Sequence, residues 1–142
     1  MSTASPDVEA IRRIFEDFSS LRALDDEEFG AFAERCWDPE IEYEEDPKWP
    51  GSGRYRGREQ VVRAWLDYIE ILGRDVRAEL VDVLDGQGTV VVLLRIFGES
   101  AGERVPFDNV WGYHCELRDG GLARFRAYFD SDEALAAAGV SR

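Results

Sequence analysis

Between residues 105 and 129 the chain alternates apolar and polar side chains with a regularity that extended backbone satisfies. Positions 105, 107, 111, 113, 115 and 117 are Val, Phe, Trp, Tyr, Cys and Leu, the period of two expected of a central β-strand. Arg118-Asp119-Gly120 fits a three-residue hairpin loop with glycine in the left-handed position, which sets Leu117 opposite Gly121. Under that register Trp111, Tyr113, Cys115, Ala123, Phe125, Ala127 and Phe129 share one apolar face, while Asp108, His114, Arg124, Arg126, Tyr128 and Asp130 share the other. Asp108 and Asp130 then stand directly opposite, and their repulsion raises one carboxyl pKa unless Arg124, Arg126 or a partner subunit neutralises the pair.

The rest of the chain supplies helices and further strands. Ser5, Pro6, Asp7 and Glu9 provide an N-cap, a first-turn proline and acids at the positive end of a helix dipole. Val8, Ile11, Phe15 and Phe18 recur every three or four residues, with Ile14 and Leu21 beside them, so a first helix runs to about Ala23. Asp25 with Glu28 has the form of a capping box, and Phe29, Phe32, Ala33, Cys36 and Trp37 make the apolar face of a second helix ended by Asp38-Pro39. From Glu40 to Glu45 the period drops to two, with Ile41 and Tyr43 on one side and Glu40, Glu42 and Glu44 on the other, as on a half-solvated strand. Alternation puts Glu45 with Tyr43 and leaves Asp46 outside unless the chain bends before Pro47.

Residues 47–53 read as a rim loop. Val61, Val62, Trp65, Leu66, Ile69 and Leu72 define a third helix, closed by Gly73 at the left-handed cap position. Val76, Ala78 and Leu80 alternate, and Val81 and Val83 continue one residue out of phase, the mark of a bulge and of sheet curvature. Asp85-Gly86-Gln87-Gly88 is a hairpin turn, and Val90 to Phe97 is an interior strand apolar on both faces apart from Arg95. A short helix from Asp132 to Ala138 ends the pattern, with Asp130 and Glu133 as its N-cap signature.

A length of 142 residues fits a single domain, 1–142, and no apolar run approaches the ~20 residues that span a bilayer. The N-terminus lacks a basic stretch followed by an apolar segment, and Cys36 and Cys115 have no metal-like spacing, so a cytoplasmic protein with two buried thiols is expected. A net charge of −13 repels phosphate backbones, so nucleic acid is not an expected partner, and without a bilayer-length apolar run neither is a membrane. Arg54-Tyr55-Arg56-Gly57-Arg58 reads either as a solvated turn or as a guide for an anionic small molecule. Isolated acids without Cys or His neighbours make no metal site, and no cofactor is expected.

The order helix, helix, strand, helix and four-strand meander resembles the SnoaL-like branch of the nuclear transport factor 2-like superfamily. The residues that carry the resemblance are Asp38-Pro39 before the first strand, Tyr55-Arg56-Gly57 opening the third helix, Arg118-Asp119-Gly120 in the last hairpin and Tyr128-Phe129-Asp130 before the terminal helix. The resemblance covers nearly the whole chain. It implies an α+β cone in which three helices wrap a curved, mainly antiparallel sheet around an apolar pocket on the concave face, with a two-fold dimer commonly formed by the convex face. Enzymes of this fold include ketosteroid isomerases, polyketide cyclases and limonene epoxide hydrolases. Glu45-Asp46-Pro47 is similar to the isomerase stretch that carries the general base, which makes Asp46 the candidate base. Phe15 stands where that isomerase has a hydrogen-bonding tyrosine, and Tyr113 where its oxyanion-binding acid lies, which makes Tyr113 the candidate donor. The hydrolase template needs Arg-x-Asp, and Arg95-Ile96-Phe97 lacks the acid.

Two functional readings follow. In the first, a small apolar molecule occupies a pocket lined by Phe15, Phe18, Tyr43, Trp49, Trp65, Trp111, Phe125 and Phe129, and a cofactor-free isomerase or cyclase acts on an apolar carbonyl compound through Asp46 and Tyr113. In the second, the domain is a non-catalytic ligand-binding or dimerisation module. A buried Asp46 beside an open cavity favours the first, and a filled cone favours the second. A homodimer is expected through the outer face that bears His114, Arg124, Arg126 and Tyr128, with Asp108, Glu116 and Asp130 supplying the opposite charge.

Overall fold

The computed structural model describes residues 6–21, 26–48, 52–73, 75–86, 89–100 and 102–140. Three helices fall in the first half, α1 (Pro6–Ser19), α2 (Asp26–Cys36) and α3 (Arg58–Leu72), and a fourth, α4 (Ser131–Ala137), follows the last strand. The strands β1 (Trp37–Glu44), β2 (Arg54–Arg56), β3 (Arg77–Asp85), β4 (Val90–Glu99), β5 (Pro106–Arg118) and β6 (Gly121–Tyr128) form one sheet in the order β2-β1-β6-β5-β4-β3. Neighbours are antiparallel except β1 and β6, which run parallel.

Helix α1 buries Val8, Ile11, Ile14, Phe15 and Phe18, the stripe its periodicity predicts. The expected cap Ser5, the expected end Ala23 and the capping residue Asp25 lie outside the described residues. Helix α2 stops at Cys36, and Trp37, Asp38 and Pro39 are already in strand β1 rather than ending a helix. The residue before a proline is pushed toward extended backbone. Proline also cannot donate to a ladder, and Pro39 falls where the β1–β6 register shifts between Trp37 and Glu42, a place that asks for no such bond. Gly73 closes α3 with its N–H on the Ile69 carbonyl at 2.7 Å, but at φ 105 and ψ 142, an extended conformation of positive φ instead of the predicted left-handed cap.

The last hairpin departs from prediction in an instructive way. Asp119 (φ 51) and Gly120 (φ 82) form a two-residue turn between Arg118 and Gly121, not a three-residue loop. An irregularity between Glu116 and Leu117 follows, after which Cys115 faces Phe125 and Tyr113 faces Ala127, two residues away from the predicted register. A slide of two keeps every side chain on its predicted face, so the apolar face survives intact. The Asp108–Asp130 opposition does not. Asp108 faces Phe97 and takes a bidentate grip from Arg95 (2.8 and 2.7 Å), whose guanidinium holds its carboxyl below the ordinary value. Asp130 instead caps α4 by accepting from the Asp132 N–H at 2.9 Å. The predicted bulge is present, because the β3–β4 register shifts between Leu80 and Asp82.

Strand β2 was not foreseen. Its arginines stand opposite the glutamates of β1, Glu42 against Arg56 and Glu44 against Arg54. Arg54 pairs with Glu44 at 3.3 Å, Arg56 with Glu40 at 3.4 Å, and Arg58 donates to the Trp37 carbonyl at 2.6 and 2.9 Å. The basic run is therefore not a free turn, because Arg54–Arg56 is a strand whose arginines pair with an acidic strand face.

Helices α1, α2 and α3 cover one face of the sheet and enclose the main core. Helix α4 lies on the other face, where Ala134, Leu135 and Ala138 pack with Val91, Leu93 and Tyr128 in a second, smaller core. Strand β4 is thus covered on both sides, as its apolar run predicts.

Candidate ligand site inside the cone

Aromatic side chains from every covering layer meet at the centre of the cone. Tyr43 stacks on Phe125 with ring centres 4.4 Å apart, and Trp65 of α3 touches Phe18, Tyr43 and Tyr113 at 5.7, 5.8 and 6.1 Å. Phe15 lies 6.1 Å from Tyr113, and Trp111 sits between Tyr68 (5.5 Å) and Phe129 (5.2 Å). Of the expected lining residues, Phe15, Phe18, Tyr43, Trp65, Trp111, Phe125 and Phe129 are brought together. Trp49 lies outside the described residues.

Asp46 reaches the edge of this interior because the chain bends at the end of β1. The Glu45 N–H donates to the Gly53 carbonyl at 3.1 Å, and the turn swings Asp46 inward until it is only 2% exposed. Its Oδ1 accepts from the Lys48 N–H at 2.9 Å, and its Oδ2 from the Phe129 N–H at 3.0 Å. The Lys48 ammonium pairs with Glu133 on α4. Glu45 takes a different part, accepting from the Tyr55 hydroxyl at 2.9 Å and the Gly53 N–H at 3.2 Å. The two neighbouring acids are thereby separated, Asp46 buried and Glu45 at the boundary.

Two small cavities, each of about 10 Å³, lie among the core side chains, and each is large enough for about one water. One is walled by Asp46, Tyr43, Trp65, Tyr68, Trp111 and Phe129; the other by residues including Phe15, Phe18, Phe29, Trp37, Trp65 and Phe125. Trp65 is a wall of both. Outside α3 runs an open groove of about 670 Å³, lined by Glu45, Tyr55, Glu59, Gln60, Arg63, Ala64, Asp67, Tyr68 and Ile71. Glu45, Ala64 and Tyr68 border both the groove and the Asp46 cavity, so a single layer of side chains divides them. The groove has the volume of a small-molecule site, roughly 300–1,000 Å³, and the interior does not.

Two donors in this interior have no partner among the described residues, the Tyr113 hydroxyl and the Trp65 indole N–H. Tyr113 is 1% exposed and Trp65 8% exposed. Burial pushes the Tyr113 hydroxyl, like that of Tyr43, well above its ordinary value, so both remain protonated at neutral pH. An unsatisfied buried donor costs about 1–3 kcal/mol, which makes such a pair a feature in need of explanation.

Sequence reasoning missed Tyr68 and Tyr55 as parts of the site, and placed Glu45 with Tyr43 by alternation. Tyr68 was legible in principle, three residues after Trp65 on the same helical face. Tyr55 and its hydrogen bond to Glu45 were not, because the contact depends on β2 folding back on β1. His114 lies on the outer face as expected. Its Nε2 is 2.7 Å from the Ala134 carbonyl, and its ring is 4.6 Å from that of Tyr128, so both side chains are engaged by α4 and its surroundings. Arg126 lies over the Tyr128 ring at 4.9 Å, while Arg124 and Glu116 remain exposed.

Residues 15–125 match the SnoaL-like domain. The chain belongs to the SnoaL-like family. Its fold is shared by a protein of Jannaschia sp. CCS1 assigned as a SnoaL-like polyketide cyclase, at 18% identity over 100% of each chain and a TM-score of 0.72. A nuclear transport factor 2-like protein of Anabaena variabilis ATCC 29413 shares 20% identity over 92% of this SnoaL-like chain and 95% of its own, at a TM-score of 0.69. A Catenulispora acidiphila DSM 44928 protein of ketosteroid isomerase-like fold, solved with trimethylamine, aligns at 14% identity over 97% and 96% with a TM-score of 0.66. No curated protein matches the sequence. Among the described residues of this SnoaL-like domain no helix is long and apolar enough to cross a membrane.

Proposed function

We propose that this SnoaL-like domain binds a small, mainly apolar carbonyl compound in the aromatic interior and acts on it as a cofactor-free isomerase or cyclase. The observation that carries the reading is the burial of Asp46, a carboxylate 2% exposed and set against Tyr43, Trp65, Trp111 and Phe129. Such a wall keeps water from competing for the carboxylate and strengthens its interactions with a reacting group. Asp46 takes the proton from the carbon next to the carbonyl, the C–H electron pair becomes a carbon–carbon double bond as the C=O π pair moves onto oxygen, and the Tyr113 hydroxyl donates to the resulting enolate. Return of the proton to another carbon completes an isomerisation. The ligand enters from the groove along α3, where displacement of Tyr68 joins the groove to the Asp46 cavity. The test is deuterium uptake next to the carbonyl of a panel of apolar ketones in heavy water. Uptake that Asp46→Asn abolishes while folding persists supports the reading, and uptake indifferent to that change removes Asp46 as the base.

A second reading rests on a different observation. Both Asp46 oxygens already accept backbone N–H groups, and the interior cavities are water-sized, as in a filled cone. On that reading the domain is a non-catalytic ligand-binding or dimerisation module in which Asp46 ties the rim to the end of β6. Association of two copies through the outer strands is part of either proposal, with the exposed Arg124 and Glu116 supplying both signs of charge on one surface.

A further inference from the structure

We infer that Trp65 is a specificity-determining residue: its indole N–H and the Tyr113 hydroxyl together hold an acceptor oxygen of the interior ligand. The inference deepens the proposed function and rests on its placement of the ligand. Trp65 is the wall common to both small cavities, so whatever molecule enlarges either one meets its ring. The Trp65 and Tyr113 rings are neighbours, with centres 6.1 Å apart at 33°; Trp65 borders both cavities and Tyr113 stands behind it. Neither donor has a partner among the described residues, and rings from Phe15, Phe18, Tyr43 and Phe125 surround the pair without offering an oxygen acceptor of their own beyond the Tyr43 hydroxyl. The chemical class that satisfies two donors in an apolar chamber is a carbonyl or ether oxygen on a hydrocarbon frame. A pure hydrocarbon leaves both donors orphaned and a carboxylate brings a charge into the chamber, so both are disfavoured.

The discriminating probes are 2-acetylnaphthalene and 2-isopropylnaphthalene, close in shape and differing in the oxygen. Titration is followed by the indole N–H resonances of the nitrogen-15-labelled protein, with the Trp65 signal assigned by its loss in Trp65→Phe. The expected result is a downfield shift of that signal with the ketone alone and a ketone preference of about tenfold or more, as one added hydrogen bond implies. Trp65→Phe and Tyr113→Phe each reduce the preference. Should Trp65→Phe fold poorly, the wild-type resonance and Tyr113→Phe still decide the matter. Equal binding of the two probes, no binding of either at millimolar concentration, or a Trp65 signal unmoved by the ketone overturns the inference. Retention of the ketone preference together with no deuterium uptake leaves the donor pair in place and removes only the Asp46 base.

Discussion

The Phe129 N–H donates to Asp46 Oδ2 at 3.0 Å across 83 residues of sequence. Together with the Lys48 N–H on Oδ1, this bond makes Asp46 a joint between the end of β1 and the turn into α4. Asp46→Ala leaves two backbone donors without a carboxylate and is expected to cost about 1–3 kcal/mol in urea unfolding. Asp46→Asn retains one acceptor oxygen and costs less. A loss near zero for the alanine variant means that water replaces both bonds and that the joint is unimportant for stability.

Trp111 is 9% exposed and sits between Tyr68 and Phe129. Trp111→Ala is expected to destabilise the domain by about 3–5 kcal/mol, as other truncations of large buried rings do. A loss under about 1 kcal/mol contradicts the packing of Trp111 between Tyr68 and Phe129.

Gly112 is buried under α4, and a methyl group added there meets the Ala134 Cβ at 2.3 Å. Gly112→Ala therefore displaces α4 and is expected to cost about 1–3 kcal/mol in thermal or chemical unfolding. Ala134→Gly removes the clashing atom, so the double variant recovers part of the loss beyond additivity. Strict additivity excludes direct contact between the two positions.

Alkaline stability follows from the buried tyrosines and from Cys36. Burial raises the hydroxyls of Tyr43, Tyr68 and Tyr113 above the ordinary 10.0, and raises the Cys36 thiol from 9.0 to about 11. The unfolded chain releases these protons first, so stability is full below pH 9 and falls as the pH climbs through the unfolded values toward the folded ones. Near-ultraviolet titration is expected to show these tyrosines ionising only as the protein unfolds. Early, reversible ionisation of every tyrosine near pH 10.0 contradicts their burial.

For the proposed dimer, Arg126→Glu is expected to weaken association by like-charge repulsion against acids of the second copy. Light scattering at micromolar concentration reads the outcome. A monomeric wild type, or a dimer unchanged by the substitution, rejects the outer strands as the interface.

What the sequence makes legible is parity more than position. Alternation assigns Trp111, Tyr113 and Phe125 to the covered face, and they lie there even though the register slides by two, because a slide of two changes partners and not faces. Partner-dependent features are hidden for the same reason, since Asp108 finds Arg95 and not Asp130. Strand β2 is too short for a period to declare itself, and its pairing comes from the glutamates of β1. Asp46 could be named a candidate from its neighbours in sequence, but its inward turn depends on the Gly53 carbonyl and Phe129 N–H, both contributed from elsewhere. The cost of closing the cone with aromatics is equally invisible until the rings are placed.

The parallel pairing of β1 with β6 carries a consequence for synthesis on the ribosome. Strand β1 emerges early, yet its central-side partner is the last strand of the sheet, so Ile41 and Tyr43 wait uncovered on that side until β6 has been made. Pairings this distant in sequence are slow to form, and an unpaired edge with apolar residues invites other chains. The glutamates 40, 42 and 44 that alternate with those residues give the waiting edge a repulsive charge, one that β2 and β6 then meet with Arg54, Arg56, Arg124 and Arg126. The acid-and-arginine lattice is thus a seam of opposite charges on both sides of β1 once the sheet is complete.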